Sequence, residues 1–318
     1  MLFPEMITMR FFDLHCDTLY KCLENDENFY NNEFHISLEK AEKYDKYIGC
    51  FAVWIPDEWR GEKAFDLFKC ASEKFDNQKE LFSAKFEQCQ TFCEIKSFEK
   101  SPKNVGIILS VEGGAAIAGR LENLEYLRKK GVRIMTLTWN GRCELGDGVG
   151  VENAQGLSQF GQKAVAEMEK LGIIVDISHA SEKLFYDVYE ISKKPFIATH
   201  SNSKKICNHR RNLSDEQFEI IKNRNGLVGI NFCNDFLNDK KPATIDDVLK
   251  HIEHFLELGG EKVIAFGSDF DGCDVPEKIA GIEYMEDLYE YFLKKNYNQK
   301  LVDDIFFNNA YNFMSINL

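Results

Sequence analysis

The chain has 318 residues, 44% of them hydrophobic, and its 39 basic and 52 acidic side chains leave a formal net charge of −13. An acidic surface repels phosphate backbones and anionic lipid, which argues against a nucleic-acid or membrane partner. The ten cysteines form no C-x-x-C pair, and no apolar run approaches the roughly 20 residues of a membrane helix, so reduced thiols in a cytoplasmic protein are expected.

The opening stretch MLFPEMITMRFF places Pro4 and Glu5 where a secretion signal needs a basic region and an apolar core, and the other end shows no long apolar tail. Neither a signal nor a lipid anchor is expected. The first strand is read at 11–17 and ends FFDLHCDT. His15 and Asp17 are two apart, so on a strand they share one face while Cys16 takes the other. A His and a carboxylate aimed together suit a divalent cation; the plainer alternative is a hydrogen-bonded core histidine beside a strand-end Asp. Segments 18–46 and 56–104 read as helical insertions around a second strand at 47–55. A third strand, 105–112, ends GIILSVEGG and carries Glu112 at the end of an apolar run. A buried carboxylate there needs a cation, unless it opens a solvated helix.

A fourth strand, 132–139, leads into Trp139 and Asn140. Apolar residues spaced by three or four predict a helix over 156–172 that stops at Gly172, and further helices follow at 181–193, 214–226 and 244–260. His251 and His254 in the last of these read as a solvated helix face. The intervening strands are 173–179, 195–200, 227–233 and 263–269. His179 and His200 close the fifth and sixth strands, and parity groups them with Ile173, Val175 and Ile177 and with Phe196 and Ala198. Asp269 closes the eighth, sharing parity with Asp271; a turn Asp is its alternative reading.

Strands alternating with helices across one chain, without a linker, predict a single (β/α)8 barrel domain over 1–318, with helical insertions. Ligand-type side chains recur at the strand ends, where such barrels build their active sites. His15, Asp17, Glu112, His179, His200 and Asp269 then form one set of nitrogen and oxygen donors that fits two divalent ions better than one, the first five as metal ligands; Zn²⁺ suits such donors, and Mn²⁺, Co²⁺ or Fe²⁺ are compatible with them.

The ordered set DLHCDT, SVEGG, DISH, THSN, HRRNLSD and GSDFDG resembles, nearly end to end, the membrane (renal) dipeptidase family of zinc peptidases in its soluble microbial form. The resemblance implies a binuclear zinc centre with Glu112 bridging, His15 and Asp17 on one ion, and His179 and His200 on the other. It further implies Asp269 as the proton-handling acid and Arg211 as the holder of the substrate carboxylate. Dipeptides, including those with a C-terminal D-residue, are the implied substrates, cleaved through a metal-bridging hydroxide, and a homodimer is an implied assembly. Trp139 stands where animal members carry a substrate-touching histidine, leaving Asn140 as a candidate hydrogen-bond donor to the substrate. Another binuclear barrel hydrolase (lactonase, phosphotriesterase or deaminase) and an inactive binding homologue are the rival readings.

Overall fold

The computed structural model describes residues 9–240 and 242–318; most of the opening stretch read for a signal, residues 1–8, lies outside them. Eight strands form one all-parallel sheet: β1 (Arg10–Cys16), β2 (Lys46–Trp54), β3 (Phe86–Gln88), β4 (Val105–Glu112), β5 (Val132–Thr136), β6 (Ile174–Asp176), β7 (Val228–Ile230) and β8 (Ile264–Phe266). Their order is β6-β5-β4-β2-β1-β8-β7, with β3 paired to the first residues of β4. The stretch read as a strand at 195–200 contributes two isolated parallel bridges, Asp176 to Ile197 and Ala198 to Val228. Those bridges join β6 to β7 and close the ring. The chain leaves that stave at Thr199, whose amide and hydroxyl both turn to the Asp176 carboxylate.

The barrel has two apolar layers. Phe12, Leu14, Ile48, Ile108, Ile134, Ile174, Ile197 and Ala265 fill its interior, together with Phe307, Phe313 and Met314 from the C-terminal end. The helix Asn309–Asn317 carries the last two and plugs one mouth. The opposite strand faces, with Phe11, Val53, Leu109 and Val175 among them, pack against the surrounding helices. Residues 18–46 hold two short helices, as read, but 56–104 also contains β3, whose three residues FEQ show too little alternation to be recognised.

Local chemistry starts and stops the helices near the positions read from sequence. Ser158 Oγ accepts from Gly161 N at 2.8 Å, and Gly172, at φ 69°, ends that helix. Ser181 accepts from Leu184 N, and Ser214 and Gln217 form a reciprocal capping box. The reading of His251 and His254 as a solvated face is corrected. His251 is fully buried: its Nδ1 accepts from Ser203 N at 3.0 Å, and its Nε2 lies 2.9 Å from Leu237 O. His254 Nε2 pairs with Asp215 Oδ1 of a neighbouring helix at 2.8 Å. Both histidines sit between elements, which helical periodicity alone did not disclose.

Candidate metal centre

β1 and β4 deliver their candidate ligands by different means. On β4, Ile108 and Glu112 share parity, so plain alternation aims Glu112 at the barrel axis. On β1, Phe12 and Leu14 already face inward, and simple alternation would turn His15 out. The register against β2 slips between Asp13 and Cys16, a bulge that rotates His15 inward and leaves Cys16 in the outer layer. Asp13 anchors the bulge, accepting from Ser268 Oγ at 2.5 Å, Ser268 N at 2.8 Å and His15 N at 3.2 Å. Burial nevertheless pushes its carboxyl up to about 6.

His179, Asp269 and Asp271 lie beyond their short strands with φ of 64°, 61° and 69°. Positive φ is costly for a non-glycine residue and concentrates at functional sites. The sequence parity for His179 and His200 named the wrong face. Ile173, Val175, Ile177, Phe196 and Ala198 pack on the helix side. The two histidines reach the axis because the chain turns after β6 and after Ala198. Likewise Asp269 and Asp271 part company. Asp271 accepts from Thr18 Oγ1 at 2.5 Å and from His35 N at 2.6 Å, tying down the rim. Asp269 is brought beside β1 by the bond from its own N–H to His15 O.

The donors converge tightly. Glu112 Oε1 lies 2.9 Å from His179 Nε2, 3.2 Å from His200 Nε2 and 3.8 Å from His15 Nε2. His15 Nε2 is also 3.4 Å from Asp17 Oδ2 and 3.9 Å from Asp269 Oδ1. Two ligand groupings follow, His15–Glu112–His200 and His15–Asp17–Asp269, both including His15. All five residues proposed as metal ligands from sequence are buried here.

The atoms behind the ligands fix their tautomers. Asn140 Oδ1 sits 2.9 Å from His179 Nδ1, and an amide oxygen only accepts, so Nδ1 carries the hydrogen. Thr199 Oγ1 donates to Asp176 Oδ2 at 2.6 Å and lies 2.8 Å from His200 Nδ1, so that nitrogen must donate to it. Both Nε2 atoms are thereby left as lone pairs, 3.0 Å apart and aimed at the same carboxylate. Burial, Arg211 and His15 keep both rings well below the usual histidine pKa. Burial raises Glu112 well above the carboxylate range, and burial also raises Asp17. His15 resists the lowering effect of burial, because Glu112, Asp17 and Asp269 push it up to about 10.

Such a cluster fits bound cations. His15 Nε2 and Asp17 Oδ1 are buried without a hydrogen-bond partner. Lone pairs of two neutral imidazoles face one carboxylate, Glu112, an arrangement that a positive ion relieves. Beside the cluster lies a cavity of about 530 Å³ reached by His179, Ser201 and Arg211. Arg211 is buried, its Nη2 donating to His200 O at 3.3 Å while its Nε finds no partner; Ser201 Oγ is buried and unpartnered as well. Sequence reasoning missed Ser201, Asp176, Thr199 and Asn231, whose Nδ2 donates to Asp269 Oδ2 at 2.9 Å. Asp176 of DISH and the THSN pair were inside recognised motifs; Asn231 had no signal of its own. Trp139 packs edge-on against Trp54 at 5.0 Å and lies 6.1 Å from the His179 ring.

A parallel barrel with buried nitrogen and oxygen donors gathered at the C-terminal ends of its strands defines a metal-dependent hydrolase. The chain belongs to the membrane dipeptidase family, peptidase family M19, whose model matches residues 5–316. Its fold superposes on a metallopeptidase from Rhodobacter sphaeroides, solved with a phosphinate mimic of the dipeptide L-Ala-D-Ala, with a TM-score of 0.90 and 26% identity over 98% of this chain and 100% of that one. An uncharacterized dipeptidase of Schizosaccharomyces pombe is 35% identical over 59% of this chain, which spans about half of that relative, 46% of its length. An uncharacterized protein of Klebsiella pneumoniae is 28% identical over 66% of this chain and 81% of its own.

Proposed function

We propose that this chain, acting as one barrel domain, hydrolyses dipeptides, including those with a D-residue at the C-terminal position, at a binuclear zinc centre. The observation that carries the reading is the pair of His179 and His200 lone pairs converging on Glu112, with His15 and Asp17 completing the donor set. Imidazole and carboxylate donors suit Zn²⁺. Two such ions supply a water acidic enough to attack at neutral pH and a Lewis acid for the peptide carbonyl.

The protein's own groups do the rest. Asn140 and the Thr199–Asp176 relay hold the two imidazoles in the tautomer that leaves Nε2 free. Asn140 Oδ1 therefore acts on His179, and the earlier expectation of a substrate contact passes to its Nδ2 alone. Asp269, steadied by Asn231, takes the proton of the attacking water and returns it to the leaving amine. The unpartnered Arg211 Nε and Ser201 Oγ seat the substrate's terminal carboxylate, selecting for short peptides with a free C-terminus. Ten unpaired cysteines accord with a reducing, cytoplasmic setting, and no described helix is long and apolar enough to cross a membrane.

Metal removal tests the reading. Exhaustive chelation is expected to abolish hydrolysis of L-Ala-D-Ala, and Zn²⁺ at two ions per chain to restore it. A stripped enzyme that keeps full activity would sink the mechanism.

A further inference from the structure

The cavity beside the metal centre carries more positive charge than one carboxylate needs. Its lining includes Lys183, Lys204, Arg210 and Arg211 against a single acidic residue, Glu182, in a chain whose net charge is −13. Lys183 is committed to Asp187. Arg211 is buried at the inner end, where its Nε and the Ser201 hydroxyl await the terminal carboxylate. Lys204 and Arg210 remain. Both are exposed and neither joins an ion pair among the described residues. Val149, Val151 and Leu213 add apolar side chains to the same lining.

We propose that Lys204 and Arg210 select dipeptides whose C-terminal residue bears a second carboxylate, that is, Asp or Glu. The proposal rests on the dipeptidase reading above. The terminal carboxylate would occupy Arg211 and Ser201, the methylene stem would lie along the valines, and the side-chain carboxylate would meet the outer cations. Charged groups at a cavity mouth act through water, so each contributes modestly and is screened by salt. The excess of cations also raises the local concentration of anionic substrate in an otherwise acidic protein.

The test compares L-Ala-D-Glu with its uncharged isostere L-Ala-D-Gln on the zinc-loaded enzyme, with L-Ala-D-Ala as reference. The Glu:Gln ratio of kcat/KM is expected to be about tenfold at roughly 20 mM ionic strength, carried by KM, and to shrink toward unity near about 0.5 M salt. In a Lys204→Gln, Arg210→Gln double variant the low-salt ratio should fall to within about twofold. A ratio near one in the parent enzyme overturns the proposal, as does a ratio that the double variant retains or that salt leaves unchanged. Cleavage of L-Ala-D-Ala without preference for Glu would leave the dipeptidase reading standing and remove only this one. Absence of cleavage on all three peptides would remove both.

Discussion

Asn140 is not itself among the proposed metal ligands, yet the orientation of His179 depends on it. Its oxygen is the acceptor 2.9 Å from His179 Nδ1, so replacing it frees the ring to rotate or to change tautomer. Partners behind a ligating histidine are worth about 10–100-fold in metal affinity. Asn140→Ala is therefore expected to weaken zinc retention by about that factor, read by competition with a chromogenic chelator, while excess zinc recovers most of the activity. Unchanged affinity would mean that packing against Trp139 alone fixes the ring. At this scale the sequence was informative about identity and less so about orientation. Glu112 was readable as the charged residue that closes an apolar run. His15 reached the predicted face only through a bulge, and His179 only through a left-handed backbone that no two-residue period encodes.

Gly229 of β7 and Gly267, one residue past β8, both crowd the 195–200 stave. A Cβ on Gly229 would lie 1.9 Å from Thr199 O, and one on Gly267 would lie 1.8 Å from the same atom. Neither neighbour is a flexible side-chain end, so the stave itself would have to move. Gly267→Ala is expected to cost about 1–3 kcal/mol in urea denaturation and to lower kcat/KM, because Thr199 and His200 shift together. A stable, fully active variant would show that the stave yields without moving His200.

The helix Ile245–Glu257 is pinned by His251, which is buried as the neutral ring and held down to about 4. The unfolded chain binds this proton near 6.5, so the contribution is fully present above that pH and is lost as pH falls from 6.5 towards 4. The loss is on the order of 3 kcal/mol. Denaturation series at several pH values should show the slope, and His251→Gln should remove about one proton's worth of it. An unaltered slope in the variant would assign the acid sensitivity elsewhere. The helix itself was legible in the sequence; the pairing of its histidines was not, because burial of one helix face against Leu237 and Ser203 is a long-range event.

Across the whole molecule, chemistry and stability occupy opposite mouths of the barrel. The proposed metal ligands cluster at the C-terminal ends of the strands, while Phe307, Phe313 and Met314 close the other end. Met314→Ala is expected to cost about 2–5 kcal/mol of stability by thermal or urea unfolding and to leave the KM of the folded enzyme unchanged. A large change in KM would show that the plug communicates with the rim. The chain by itself determined which residues are available: apolar runs for the staves, caps and glycines for the helices, and an ordered set of His, Asp and Glu at the strand ends. Those are local properties, fixed by propensity, periodicity and the cost of burying charge. Only the tertiary structure decided how the barrel closes through two bridges at Ile197 and Ala198, which nitrogen of each histidine is free, and which cations ring the cavity. These depend on contacts between residues far apart in sequence, where a bulge, a turn or a single hydrogen bond reverses what alternation implies.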